Sequence, residues 1–176
     1  AQVINVIDPV IHYVTQHKTF RHVGVIGTRG TIESKVYADK IHDADPSIKV
    51  SSLATPLLVP MIEEGFIHDN ISHQILDTYL NDSQLKNIDV LIPGCTHYPL
   101  IIEDIREYYQ NRVIVPDTAA ITAEAVKAAL KNNDMLSDVK NDNHHFYVSD
   151  YTHSFEQSTL RFFHEKVHLE QLNIWE

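Results

Sequence analysis

The chain has 176 residues, 43% of them hydrophobic and 22% charged, enough to bury a full core in one domain or slightly more. Its formal net charge of −10 repels nucleic acid and anionic membranes, and no basic run or cluster of stacking aromatics offsets it. The single cysteine, Cys95, cannot close an internal disulfide, and no apolar stretch is long enough to span a bilayer, so the expected setting is a reducing cytoplasm.

In chain order, residues 1–7 lack the basic segment of a signal peptide, and residues 3–7 read as a strand that begins mid-protein. With no initiator methionine, a truncated or processed chain is expected. Asp8-Pro9 is a cap and first-turn pair for a helix carrying Val10, Ile11, Tyr13 and Val14. Residues 23–26 form the next strand, ending in Gly27-Thr28-Arg29-Gly30-Thr31, and one helix with Ile32, Val36, Tyr37 and Ile41 follows. Residues 48–53 are a third strand. A proline-bounded stretch then yields a short helix near Met61-Ile62-Glu63-Glu64-Gly65, and Asp69 or Asn70 opens another through Leu80. Residues 88–92 are a buried strand that stops at Pro93-Gly94. Leu100, Ile101, Ile105 and Tyr108 recur at helical spacing, residues 113–115 make a strand, and Asp117 caps an alanine-rich helix to about Leu130. A polar loop over 131–143 precedes a strand at 145–148, a helix at 154–163 and a last strand at 167–174.

This alternation predicts an α/β protein with parallel, doubly wound sheets, whose ligands bind at the carboxyl ends of the strands. Thr28 and Cys95 both fall there. Cys95 lies at or just before a helix N-terminus opened by Pro99, where free N–H groups and peptide dipoles favour a thiolate. Thr96 and the local amides suit an anion, and His97 is near enough to move protons or bias the sulfur. A lone cysteine is more often a small buried hydrophobe, but its Gly-flanked turn and neighbouring histidine favour chemistry.

The Gly27–Thr31 loop lacks nucleotide-binding spacing, so small-anion binding is its preferred use, against turn chemistry with helix capping by Thr31. Glu63 and Glu64 at a helix start can simply answer the dipole, whereas a carboxylate reaching His97 would orient it and favour its protonated form. His164-Glu165-Lys166-Val167-His168 matches the H-E-x-x-H zinc pattern, yet it turns from helical to strand-like across its length and is read as no metal site. His144 and His145 read as surface groups.

Gly94-Cys95-Thr96-His97-Tyr98-Pro99-Leu100 resembles the second cysteine motif of the aspartate/glutamate racemase family, on its glutamate-specific side. Residues 23–28 with Thr31, residues 54–65, Val115-Pro116-Asp117 and residues 146–150 fit the same family in the right order. The resemblance implies cofactor-independent interconversion of L- and D-glutamate, the D-enantiomer being destined for peptidoglycan. It implies two similar α/β domains facing each other across the active site, here with the first incomplete. Residues 1–20 would be a crossover segment from the first domain, 21–115 the second domain with the Cys95 motif, and 116–176 a return segment completing the first.

Residue by residue, the resemblance makes Cys95 one of two catalytic acid/base thiols, His97 its helper and Glu63 the partner of that histidine. Thr28, Thr31 and Thr96 match positions that hold the substrate's carboxylates and amine. No metal is implied; the partner is the small molecule glutamate, with a homodimer as a compatible assembly and neither nucleic acid nor membrane. The family's amino-terminal half, with its first catalytic cysteine, is absent from these residues, so the chain alone is expected to be inactive. Two competing functions remain: a one-thiol decarboxylase of the same superfamily, and a non-catalytic glutamate-binding fragment.

Overall fold

The computed structural model describes residues 3–137, 139, 143–163, 165 and 167–173. They fall into two compact units, Ala1–Asp134 and Met135–Glu176.

In the first unit, α1 (Asp8–Gln16) leads into β1 (His22–Gly27), which lies at the centre of a three-stranded parallel sheet between β2 (Lys49–Ala54) and β3 (Val90–Pro93). Val23 pairs with Val50 on one side and with Val90 on the other, so the strand tips at Gly27, Ala54 and Pro93 end together. Side chains alternate across the sheet. Val23, Val25, Val90 and Ile92 point to one face, where Val10, Ile11 and Val14 of α1 and Tyr37 and Ile41 of α3 (Val36–Ala44) cover them. Ile26 and Leu91 point to the other, beneath α4 (Leu58–Glu64), α5 (Asn70–Leu80) and α6 (Ile102–Tyr108). Helices on both faces of a parallel sheet are the doubly wound arrangement expected from the alternation of elements.

Four expectations shift in detail. Residues 3–7 form no strand: Asn5 Oδ1 accepts from the amides of Ile7 and Asp8 at 2.9 and 2.8 Å, turning the chain into α1. The helix after β1 divides into α2 (Arg29–Glu33) and α3 at Lys35, whose φ is 56°. Ser34 Oγ donates to Thr31 O at 2.7 Å and accepts from Val36 N, so a side chain replaces helical backbone bonds there. The helix after Cys95 begins as a tight 3-10 turn, Tyr98–Ile101, before α6. The strand at 113–115 contracts to Ile114 alone, which bridges to Val90. Arg106 donates from Nε and Nη2 to the Val115 carbonyl at 3.2 and 2.8 Å, and Pro116 has no N–H to extend a ladder.

Asp117 caps α7 (Thr118–Asn132) through Oδ1, which accepts from Ala119 N and Ala120 N. The second unit is a strand–helix–strand motif. Its β4 (Phe146–Val148) and β5 (Leu169–Gln171) run parallel, joined through α8 (His153–Phe163), and Phe146 meets Phe163 edge to face. Ile174, the expected end of the last strand, lies outside the described residues. Among the described residues, no helix is long and apolar enough to cross a membrane.

Candidate functional site at the carboxyl ends of β1 and β3

The site is built on the tips of two adjacent strands. Gly94 N donates to Ile26 O at 2.8 Å, which extends the β1–β3 pairing by one residue and brings Cys95 to the rim. A Cβ on Gly94 would stand 2.9 Å from that same oxygen and 3.2 Å from the Tyr37 ring, so only glycine allows this approach. Tyr98 N then donates to Cys95 O and closes the turn.

Three of the expected residues come together in a row. Cys95 Sγ is 3.9 Å from His97 Nδ1, and His97 Nε2 is 3.2 Å from Glu63 Oε1. The carboxylate is over half exposed while the imidazole is 28% exposed, so the row runs from solvent at Glu63 inward to a half-buried thiol. Glu63 reaches His97 because α4 begins just past the tip of β2 and ends at Gly65, which takes the left-handed conformation at φ 85°.

The thiol is pushed up from its ordinary value. Burial is the main cause and the nearby Glu63 charge adds to it, while the amides of His97 and Thr96 pull the other way. The direction is opposite to the expected bias toward thiolate, because desolvation outweighs the two local amides.

The threonines divide. Thr31 and Thr96 line a cavity of about 630 Å³ together with Cys95, Gly94 and Tyr37. Ile7 and Thr118 and Thr122 of α7, which sequence patterns do not single out, line it as well. Thr28, His97 and Glu63 are not among its lining residues. Thr28 is the N-cap of α2: its Oγ1 accepts from Thr31 N at 3.4 Å and lies 3.0 Å from Thr31 Oγ1. The cap of that helix is therefore Thr28 and not Thr31, because Thr28 keeps the extended conformation that capping requires.

Two further residues underlie the site. Thr55, directly after β2, donates from its amide to Gly27 O at 2.8 Å, and its Oγ1 lies 2.6 Å from the Tyr98 hydroxyl. Both side chains are fully buried. Both fall inside the stretches that carry the family resemblance, but nothing in the sequence pairs them.

Among the described residues, no group of three or more His, Cys, Asp or Glu side chains is placed to hold a metal ion. His164 and Lys166 of the H-E-x-x-H pattern lie outside the described residues.

A thiol, an imidazole and a carboxylate in a row at the carboxyl end of a parallel sheet stand where doubly wound α/β proteins place their ligand sites, and they are groups able to exchange protons. The chain belongs to the Asp/Glu/Hydantoin racemase family, whose sequence profile matches residues 2–126. It is 37% identical over 161 residues to the glutamate racemase of Geobacter metallireducens, covering 91% of this chain and 60% of that protein. Among solved structures it resembles glutamate racemase from Francisella tularensis in complex with D-glutamate, with a TM-score of 0.87 and 36% identity over 97% of this chain and 63% of that one. A glutamate racemase isoform from Bacillus anthracis superposes with a TM-score of 0.89 at 30% identity, covering 98% of this chain and 65% of that one. The chain thus spans somewhat under two thirds of these relatives.

Proposed function

We propose that this chain carries one face of the acid/base apparatus of a glutamate racemase, a cofactor-independent isomerase that supplies D-glutamate for peptidoglycan in the cytoplasm. The observation that carries the reading is the row Cys95–His97–Glu63, whose Cys95 end lines a cavity together with Thr31 and Thr96. Thr28 joins Thr31 and Thr96 as candidate holders of the substrate's charged groups, acting through the Thr28–Thr31 contact. The domain reading given above, with residues 21–115 as the second domain, belongs to the same proposal.

In this reading the Cys95 thiolate takes the α-proton from one enantiomer, leaving the electron pair on Cα delocalised into the adjacent carboxyl group. An acid on the opposite face returns a proton there. In the other direction, Cys95 is the thiol that donates. Its raised proton affinity suits the donor state at neutral pH, while His97, backed by Glu63, assists deprotonation. These residues contain one cysteine, so the second thiol of a two-cysteine mechanism would lie outside them.

The test is glutamate racemisation in D2O, with the chain alone and mixed with the amino-terminal half of a glutamate racemase. Deuterium entering the α-position in the mixture, and its loss with Cys95→Ser, is the expected result. Full racemisation by the chain alone would sink the one-face reading, and no exchange in either sample would sink the racemase reading.

A further inference from the structure

The row of site residues is held from below by a second contact between the same two segments. Glu63 lies on α4, whose first turn opens where Leu58 N donates to Thr55 O at 3.1 Å. His97 is followed directly by Tyr98. The pair Glu63–His97 at 3.2 Å and the pair Thr55–Tyr98 at 2.6 Å therefore join one segment, residues 55–63, to another, residues 97–98. Together they close a ring through the chain. One closure is partly exposed, whereas the other is formed by two fully buried side chains.

The two closures differ in strength of anchoring. An ion pair with an exposed carboxylate is weak on its own and loses entropy in holding two side chains together. Thr55 is also fixed by its amide and hydroxyl, which both donate to Gly27 O, at 2.8 and 3.2 Å, and so it is tied to the tip of β1. The Tyr98 ring packs in the same core cluster as Leu58, Met61 and Ile62, the buried face of α4. Burial also holds the phenol in its neutral form, so it keeps its hydrogen.

We propose that Tyr98 is a positioning residue: its hydroxyl, bonded to Thr55, sets His97 at hydrogen-bonding distance from Glu63. This rests on the reading of Cys95, His97 and Glu63 as acid/base machinery. Tyr98 acts only through His97 and does not itself touch the reacting atoms. Removing the hydroxyl leaves the ring in the core but frees the turn to shift, which lengthens the His97–Glu63 contact and loosens the ring's orientation.

The experiment is NMR of the His97 ring in the 176-residue chain at one fixed pH, reading the ring nitrogen and proton chemical shifts that report the hydrogen bond to Glu63, which needs no turnover. Glu63→Gln reports the full change in these signals on losing the carboxylate. Tyr98→Phe and Thr55→Val are expected to move them in the same direction by a smaller amount, while Thr55→Ser, which keeps the hydroxyl, leaves them in place. His97 signals in Tyr98→Phe equal to wild type, with Glu63→Gln shifted, would overturn the positioning role. No shift in Glu63→Gln would instead overturn the pairing on which it rests. Loss of native spectra in both Tyr98→Phe and Thr55→Val would also overturn the proposal, because the bond would then hold the fold and not the imidazole.

Discussion

Gly94 sits so close to Ile26 that its amide hydrogen bond, 2.8 Å, and the space for a side chain compete for the same carbonyl. The chain keeps the bond and leaves out the side chain. Gly94→Ala should therefore destabilise the protein by about 1–3 kcal/mol through displacement of the strand tip or of the Tyr37 ring. Urea unfolding monitored by circular dichroism measures this. An alanine variant as stable as wild type would show that the tip is free to give way.

The Cys95 thiol should react slowly near neutral pH. Burial and the Glu63 charge raise its proton affinity, so its alkylation by iodoacetamide should rise with pH to a midpoint above that of an ordinary cysteine. Glu63→Gln removes one of the two raising influences and should move the midpoint down. A midpoint at or below the ordinary value in wild type would contradict the dominance of desolvation.

That raised value also links to stability. A group held protonated by the fold contributes fully below its unfolded pKa, about 8.5 for cysteine, and loses that contribution as pH rises through the folded value. Wild type should therefore lose stability between neutral and strongly alkaline pH more steeply than Cys95→Ser. Denaturant midpoints compared at the two extremes would reveal it, and parallel curves would speak against it.

Asp89 should matter at the opposite end of the pH scale. Its Oδ2 accepts from the amides of Arg21 and His22 at 2.7 and 2.8 Å, tying the start of β1 to the start of β3, and these bonds lower its pKa. A carboxyl depressed by the fold stabilises above its unfolded pKa, and that contribution disappears as pH falls through the folded value. Asp89→Ala should cost about 1–2 kcal/mol at neutral pH, with wild type and variant converging in acid. A difference that persists unchanged at low pH would assign the loss to something other than the charge.

For catalysis, Cys95→Ser should lower α-proton exchange of glutamate by about 10²-fold or more in the mixture with an amino-terminal racemase half, since general acid/base groups contribute on that scale. Deuterium incorporation followed by NMR gives the rate. An exchange rate within a few-fold of wild type would remove Cys95 from the proton path.

The parallel α/β fold was legible because strands 23–26 and 88–92 are short, mainly apolar runs bounded by turn residues, and a parallel strand covered on both faces is buried along nearly its whole length, as β1 and β3 are. Cys95, His97 and Glu63 were legible as candidates, two from local motif and one from the order of segments. Their approach within 4 Å depends on where α4 lands relative to β3, which local spacing does not encode. Burial of Cys95 likewise comes from tertiary packing, which its neighbours in the chain do not encode. Thr55 and Tyr98 lie within the matching stretches, but their contact has no sequence pattern, because residues 43 apart meet only when the strand tips align them. The break at Lys35 and the loss of strand at 113–115 came from side chains, Ser34 and Arg106, that took over backbone partners.

Arg106 has a further consequence. Ile114 turns its own amide and carbonyl toward β3, so the carbonyl of Val115 faces away from the sheet, where a foreign strand would otherwise dock. The guanidinium occupies that acceptor. A strand laid along the margin beyond β3 would find this outward carbonyl already taken, which disfavours edge-to-edge pairing there.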